Sequence, residues 1–290
     1  MKGGNSLSSN LCVVAMKFDS DKMIESLQEM LALIDEVMNT AANILRQDPS
    51  SMGELWSMVQ AANNVCKNVG LGLVVIFFLV SFVFKLTEMD WRNISIDFII
   101  RELIKLILAK ALIDISMDIC LLIFNWGSDF MQQLTFNISG NFKFSDLKLD
   151  VIKKNFEDMK FYAQLVFIME MSIPKVIIYI CEIVTYVICY GRVLQISLMT
   201  IISPIPLSTV AGETRKHTAL HFTKKYVGVV CQGAIIILMI AIFKGVVMWL
   251  MAGVGQISSI TSLWKLAGVA IVLVVGILGS NKTAEMFLGD

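Results

Sequence analysis

Between Lys67 and Lys85 the chain reads NVGLGLVVIFFLVSFVF, without a single charge. At a helical rise of about 1.5 Å per residue, roughly 20 residues cross the hydrocarbon core of a bilayer. The run lies near the lower limit. The flanking lysines can snorkel their ammonium groups to headgroup level and complete it. Composition agrees with a lipid environment: 56% of the 290 residues are hydrophobic and 17% are charged, against about 25% charged in an ordinary soluble domain. Further long apolar runs follow, so the expected fold is an all-α polytopic membrane protein. The 24 basic and 24 acidic residues balance, which gives no sign of general affinity for nucleic acid.

Ahead of that span, residues 1–66 form an N-terminal region of amphipathic helices. Residues 1–18 are expected to be disordered, and the apolar core Leu11–Met16 is too short for a signal peptide. Met23, Ile24, Leu27, Met30, Leu31, Ile34, Val37 and Met38 then recur at spacings of three and four, the apolar stripe of a helix. QDPSS at 47–51 interrupts it, with Ser50 or Ser51 as the N-cap of a second helix starting at Met52.

Residues 67–126 hold the first two expected spans. The second, Arg101–Trp126, carries Lys110, Asp114 and Asp118 at i, i+4 and i+8. These form one polar stripe, which should face protein or water rather than lipid. An internal Lys110–Asp114 ion pair is the plainer reading, and a wet, subunit-facing wall the functional one. Residues 127–160 read as a polar loop with one short helix near its end. Phe161–Ile202 reads as one long apolar helix kinked at Pro174, and carries Glu170, Lys175, Glu182 and Arg192. Arg192 is either a snorkelling interfacial arginine or one that lines a conduit or fixes a neighbour. Residues 226–290 supply two further spans and a tail.

Residues 203–225 open on the sequence S-P-I-P, Ser203–Pro206. Pro204 and Pro206 lack N–H groups and end the incoming helix near Ser203; Ser203 and Ile205, each preceding a proline, are biased toward extended backbone. The carbonyls of residues 199–202 then lose helical donors that lipid cannot replace. Irregular backbone at membrane depth survives only inside protein or beside water. Ser203, Ser208 and Thr209 are the nearby hydroxyls that can act as partners.

Lys and Arg in short loops set orientation. Arg215, Lys216, Lys224 and Lys225 place 203–225 in the cytoplasm, against a connection at 251–262 that has none. The result is about five spans, N-out and C-in, with 127–160 outside despite its five lysines. No chemical motif emerges. His217 and His221 lack the glutamate of a zinc protease, GSNKTAE is no phosphate loop, and the six scattered cysteines read as small buried hydrophobes. No enzyme activity, cofactor or metal is expected.

The order of the segments FIIRELIKLILAKALIDISMDICLLIF, YGRVLQISLMTIISPIPLSTVAGET and FTKKYVGVVCQGAIIILMIAIF resembles the TrbL-like, VirB-type polytopic inner-membrane subunits of conjugative type IV secretion systems. The likeness is greatest to those of Gram-positive mobile elements and extends over about Glu54–Val247. It implies a channel or scaffold subunit in the bacterial cytoplasmic membrane. Such a subunit would be a homo-oligomer beside ATPases, bitopic membrane proteins and a coupling protein, helping to pass a relaxase–single-stranded DNA substrate. Lys110, Asp114, Asp118, Arg192, Pro204 and Pro206 carry over as architectural residues. Two other classes fit the same broken helix and buried charges: a small-solute secondary transporter and a structural membrane anchor.

Overall fold

The computed structural model describes residues 19–88, 96–138, 149–212, 216–252 and 260–288. Among them the regular structure is entirely helical. In chain order it comprises α1 (Ser20–Arg46), a 3-10 turn (Pro49–Ser51), α2 (Glu54–Glu88), α3 (Ile96–Asp114), α4 (Ser116–Ile138), α5 (Asp150–Glu157), α6 (Phe161–Ile202), α7 (Pro204–Ser208), a 3-10 turn (Thr209–Ala211), α8 (Lys216–Ala252) and α9 (Ile260–Leu288). Among the described residues four stretches are long and apolar enough to cross a membrane: Glu54–Thr87, Phe161–Ala211, His217–Val247 and Leu263–Ser280. The α3–α4 pair, expected as a fifth span, is not among them. Arg101, Glu102, Lys105, Lys110, Asp114 and Asp118 put a charge on nearly every turn of it.

The chain divides into two compact units. The first takes in α1 up to Ala42, α5, α6 up to Ile188, and Leu238–Leu278 of α8 and α9. Its α1 stripe is buried as the spacing predicts: Leu27, Leu31 and Met30 are almost wholly enclosed, with Ile34 and Met38 beside them. Polar contacts at the edge fix the register. Lys153 Nζ lies 2.6 Å from Asp21 Oδ1, and Ser20 Oγ donates to Glu157 Oε1 at 2.9 Å. The Asp21 carboxylate holds the Lys153 ammonium above its ordinary range. Gln164 Nε2 donates to Phe156 O at 2.9 Å, while the Phe156 ring meets Phe167 edge-on.

The second unit takes in Asn43–Phe136, Cys189–Ile237 and the end of α9. Asp48 Oδ1 accepts from Ser50 N, so the aspartate, rather than either serine, organises the turn at 49–51. Gly53, at φ 53°, redirects the chain into α2, a conformation with no Cβ penalty only for glycine. Helix α3 packs antiparallel along α2. Lys85 Nζ meets Glu102 Oε1 at 2.5 Å toward one end, and Lys67 Nζ donates to Asp114 O at 2.8 Å toward the other. Lys105 completes the charge around Glu102 at 2.8 Å. An apolar cluster of Val74, Ala109, Ile113 and Ala211 fills the space between α2, α3 and the second 3-10 turn.

Three expectations change. Helix α4 continues to Ile138 rather than ending in a loop at residue 127; MQQLTF carries no glycine or proline to stop it. The expected second span is interrupted at Ile115, although Ile115 N and Ile119 N still find helical acceptors at 3.1 and 3.0 Å. Helix α2 begins at Glu54, two residues later than expected. The N-terminal segment 1–18 lies outside the described residues.

If the α1 stripe holds the first unit together, Leu27→Ala costs about 2–5 kcal/mol, while Glu25→Ala, on the exposed face, stays within about 0.5 kcal/mol. Thermal unfolding of both variants in one detergent checks this; equal melting points would show that α1 is not docked through this face.

Candidate functional site at the proline break

Helix α6 ends at Ile202, as the prolines dictate. The backbone does not become extended, however. Ser203 keeps right-handed helical angles, φ −48° and ψ −35°, and Pro204 and Pro206 occupy the first turn of the short helix α7. The first N–H groups of a helix have no intrahelical partner in any case, so prolines there forfeit nothing.

The cost falls on the helix behind. Pro204 deletes the donor that would serve the carbonyl four residues earlier, Thr200 O. That oxygen receives two side-chain donors instead: Asn63 Nδ2 from α2 at 2.8 Å and Ser203 Oγ at 2.8 Å. The same amide group lies 3.3 Å from Ile201 O. Beyond the break, Ser208 Oγ donates to Ile205 O at 2.6 Å and Thr209 Oγ1 to Pro206 O at 2.7 Å. Asn63, Ser203 and Ser208 are wholly buried.

The polar chain runs on into other helices. Thr200 Oγ1 donates to Ile196 O at 2.9 Å and lies 3.2 Å from Tyr226 Oη, which itself donates to Cys120 O at 3.1 Å. One network thus ties α2, α4, α6 and α8. Around it pack Cys120, Phe124, Ile196, Tyr226, Val229 and Val230. At Gly70 a Cβ would sit 2.9 Å from Pro204 O, so only glycine lets α2 approach the broken backbone this closely.

Arg192 is 4% exposed. Its Nη2 donates to Val229 O and, at 2.7 Å, to Val230 O on α8. Gly233 makes room for it, since a Cβ there would lie 2.9 Å from Nη2 and 2.9 Å from Met131 Sδ. Arg192 therefore does not snorkel; it fixes a neighbouring helix. One residue before that glycine, Gln232 Nε2 donates to Ser280 Oγ at 3.0 Å and joins α8 to α9.

The expected site residues separate. Arg192, Ser203, Pro204 and Pro206 come together with Asn63 and Tyr226, which the sequence reading did not single out. Lys110, Asp114 and Asp118 belong to the same unit but are exposed. Among the described residues Lys110 and Asp114 form no ion pair; Asp114 is engaged only through its backbone oxygen. Glu170, Lys175 and Glu182 belong to the other unit. There Glu170 is exposed, Glu182 is half-buried, and Lys175 Nζ donates to Ser26 Oγ at 2.8 Å and lies 3.5 Å from Glu29 Oε2. His217 and His221 are both exposed, and no group of side chains suited to a metal occurs among the described residues.

A family model described as TrbL/VirB6 plasmid conjugal transfer like protein matches residues 33–204. The chain belongs to the TrbL/VirB6 family. It is a multi-pass membrane protein of the conjugal transfer class, a family of transfer-system membrane proteins. The matched region includes Asn63, Lys110, Asp114, Asp118, Arg192, Ser203 and Pro204. It stops before Pro206 and the CQGAIII segment of α8, which the resemblance read from the sequence had included. Comparison with curated proteins and with solved structures found no match.

If Asn63 substitutes for the donor that Pro204 removes, Asn63→Leu destabilises by about 1–3 kcal/mol, and Asn64→Leu, one residue on and exposed, by less than about 0.5 kcal/mol. Thermal melting of the two variants side by side decides it. Equal, small losses would mean that Thr200 O needs no partner from α2.

Proposed function

We propose that this TrbL/VirB6 protein is a channel or scaffold subunit of a conjugative type IV secretion system, helping to move a relaxase–single-stranded DNA substrate across the cytoplasmic membrane. The observation that carries the reading is the exposed stripe Lys110, Asp114 and Asp118. It lies on α3 and α4, and α3 runs alongside the apolar span of α2 from Glu102 to Asp114. Lys110 lies one turn inside the level at which Lys67 meets Asp114 O, where an ionised group needs protein or water beside it; Asp114 and Asp118 lie at that level and beyond it. None of the described residues covers any of the three.

Their neighbours point the same way. Ile107, Leu108, Ile115 and Leu122 are exposed next to the stripe, so the face mixes apolar area with charges of both signs. Such a face suits self-complementary association, in which a lysine of one copy meets a carboxylate of the next. We therefore read the protein as a homo-oligomer that encloses a passage, placed beside the system's ATPases, bitopic membrane proteins and coupling protein. Because α3 accompanies α2 through the same depth, we count α3–α4 as a crossing. That gives five crossings, N-out and C-in.

Two measurements test this. Removing the chain should abolish DNA transfer in mating. Lys110→Glu and Asp118→Lys should each lower transfer at least about tenfold, the effect of juxtaposing like charges, and the two together should restore a large part of it. Undiminished transfer without the chain overturns the assignment. Single variants that transfer normally remove the stripe from the argument.

A further inference from the structure

We propose that the exposed apolar face of α6 just ahead of the proline break, formed by Tyr190, Leu194, Leu198 and Ile202, is a contact surface between copies of this chain. The inference deepens the homo-oligomer reading above and rests on it. The four residues recur at intervals of four, so they follow one another along one side of the helix, and the first three are more than half exposed. Arg192, Ile196, Ser197 and Thr200 of the same segment are buried. All these residues belong to the second unit.

Lipid is the ordinary cover for such a face, and two observations speak against it here. Helix α6 has 42 residues, a length of about 63 Å, whereas a bilayer with its headgroups takes up about 40–45 Å. Part of α6 therefore stands outside the lipid. The exposed side chains of its neighbours show that the end at the break is that part. Tyr226 Oη lies 3.2 Å from Thr200 Oγ1, and Lys224 and Lys225, just before Tyr226, are exposed. Asn63 Nδ2 donates to Thr200 O, and α2 runs in the same direction as α6 here: Gly70 faces Pro204 O on one side of that bond, and Met52 shares a hollow with Arg192 and Ile196 on the other. Ser57, Gln60 and Asn64 of α2, all exposed, thus stand at about the height of Leu194 and Leu198. Lysines and uncharged polar side chains open at one height belong to water rather than to acyl chains. An apolar patch rimmed by them is the mark of a protein contact.

Gly191 narrows the kind of partner. It is exposed, and no atom of the described residues lies within 4 Å of where its Cβ would stand. Packing within the chain therefore does not call for glycine there, and glycine inside a helix is less stable than alanine. Placed between Tyr190 and Leu194, it leaves a notch into which another helix can come close. The face carries no charge, so it selects neither an acidic nor a basic partner, nor nucleic acid. Gln195, also exposed, borders it as a polar rim. A second copy of the chain meets these conditions: held in the same bilayer, it presents apolar helices at the same height.

The test uses two forms of the full chain, carrying different epitope tags and made in the same cells. Leu194 of one form is replaced by the photo-crosslinking residue p-benzoylphenylalanine. Illumination of intact cells should give an adduct of twice the chain's mass that carries both tags. The same replacement at Leu198 should give it too, and at Gln60, open at the same height on α2, should give little. Gly191→Leu fills the notch. It should leave the thermal melting of the detergent-dispersed chain unchanged and lower the two-tag adduct about tenfold, the effect of overpacking a close contact. Adducts with lipid alone, adducts with a different protein in place of the second tag, or silence at both leucines overturn the proposal. So does an equal yield from Gln60, or an adduct that Gly191→Leu leaves undiminished. Failure here is distinct from failure of the proposed function: if both leucines stay silent while Lys110→Glu and Asp118→Lys together still restore transfer, the oligomer stands and this face falls.

Discussion

The second unit depends on one oxygen. Proline at 204 deprives the Thr200 carbonyl of its helical donor in surroundings where water is not freely available, and Asn63 and Ser203 supply donors in its place. Because Asn63 belongs to α2, the repair is also a tertiary contact. It fixes the height at which α2 stands against the broken helix, and Gly70, about two turns later, then faces Pro204 O with no side chain to hold the two backbones apart. From there the second 3-10 turn follows α2 as far as Gly212, whose Cβ position lies 3.4 Å from Ser81 Oγ. A break that would be a defect in an isolated helix thus becomes the point from which the register of α2, α6 and α7 is set.

A second polar anchor stands less than three turns back along α6. Arg192 donates to two carbonyls of α8 that already belong to that helix's own ladder, so the bond adds a partner without breaking one. It requires the small residue at 233, and it explains why the glycine lies within an otherwise bulky apolar run. Between the two anchors, Thr200 and Tyr226 carry the network from α6 to α8 and on to the backbone of α4. In lipid, where apolar contact between helices gains little over contact with acyl chains, such hydrogen bonds and small-residue contacts give packing its specificity.

Much of this was legible in the chain. The uncharged run after Lys67, the spacing of the α1 stripe and the stop before Pro204 each follow from local chemistry, and each stands where that chemistry puts it. Ser203, Ser208 and Thr209 could be named as partners because they lie beside the carbonyls they serve. Asn63 could not: it lies 137 positions from Thr200, and an asparagine near the start of a span has many ordinary explanations. The local rule also misjudged Ser203 itself. The bias of a pre-proline residue toward extended backbone lost to the gain of continuing directly into α7, where prolines fit the first turn. The charge pattern of α3 and α4 suggested an ion pair between Lys110 and Asp114 that does not form among the described residues, since an i, i+4 pair can form only if both side chains turn toward each other. Lys67 takes the Asp114 backbone oxygen instead.

The charges of the second unit therefore fall into two kinds. Arg192 and Glu102 are enclosed, and each has partners within the chain: helix carbonyls for Nη2 of Arg192, and Lys85 and Lys105 for Glu102. The side chains of Lys110, Asp114 and Asp118 are met by none of the described residues, although α3 packs along the uncharged run of α2. A fold that takes such care over one carbonyl at residue 200 has no physical reason to leave the Lys110 ammonium against acyl chains. On the function proposed above, these groups are completed from outside, by another protein surface or by water in a passage. That is the property a transfer-system subunit needs and an isolated membrane anchor does not.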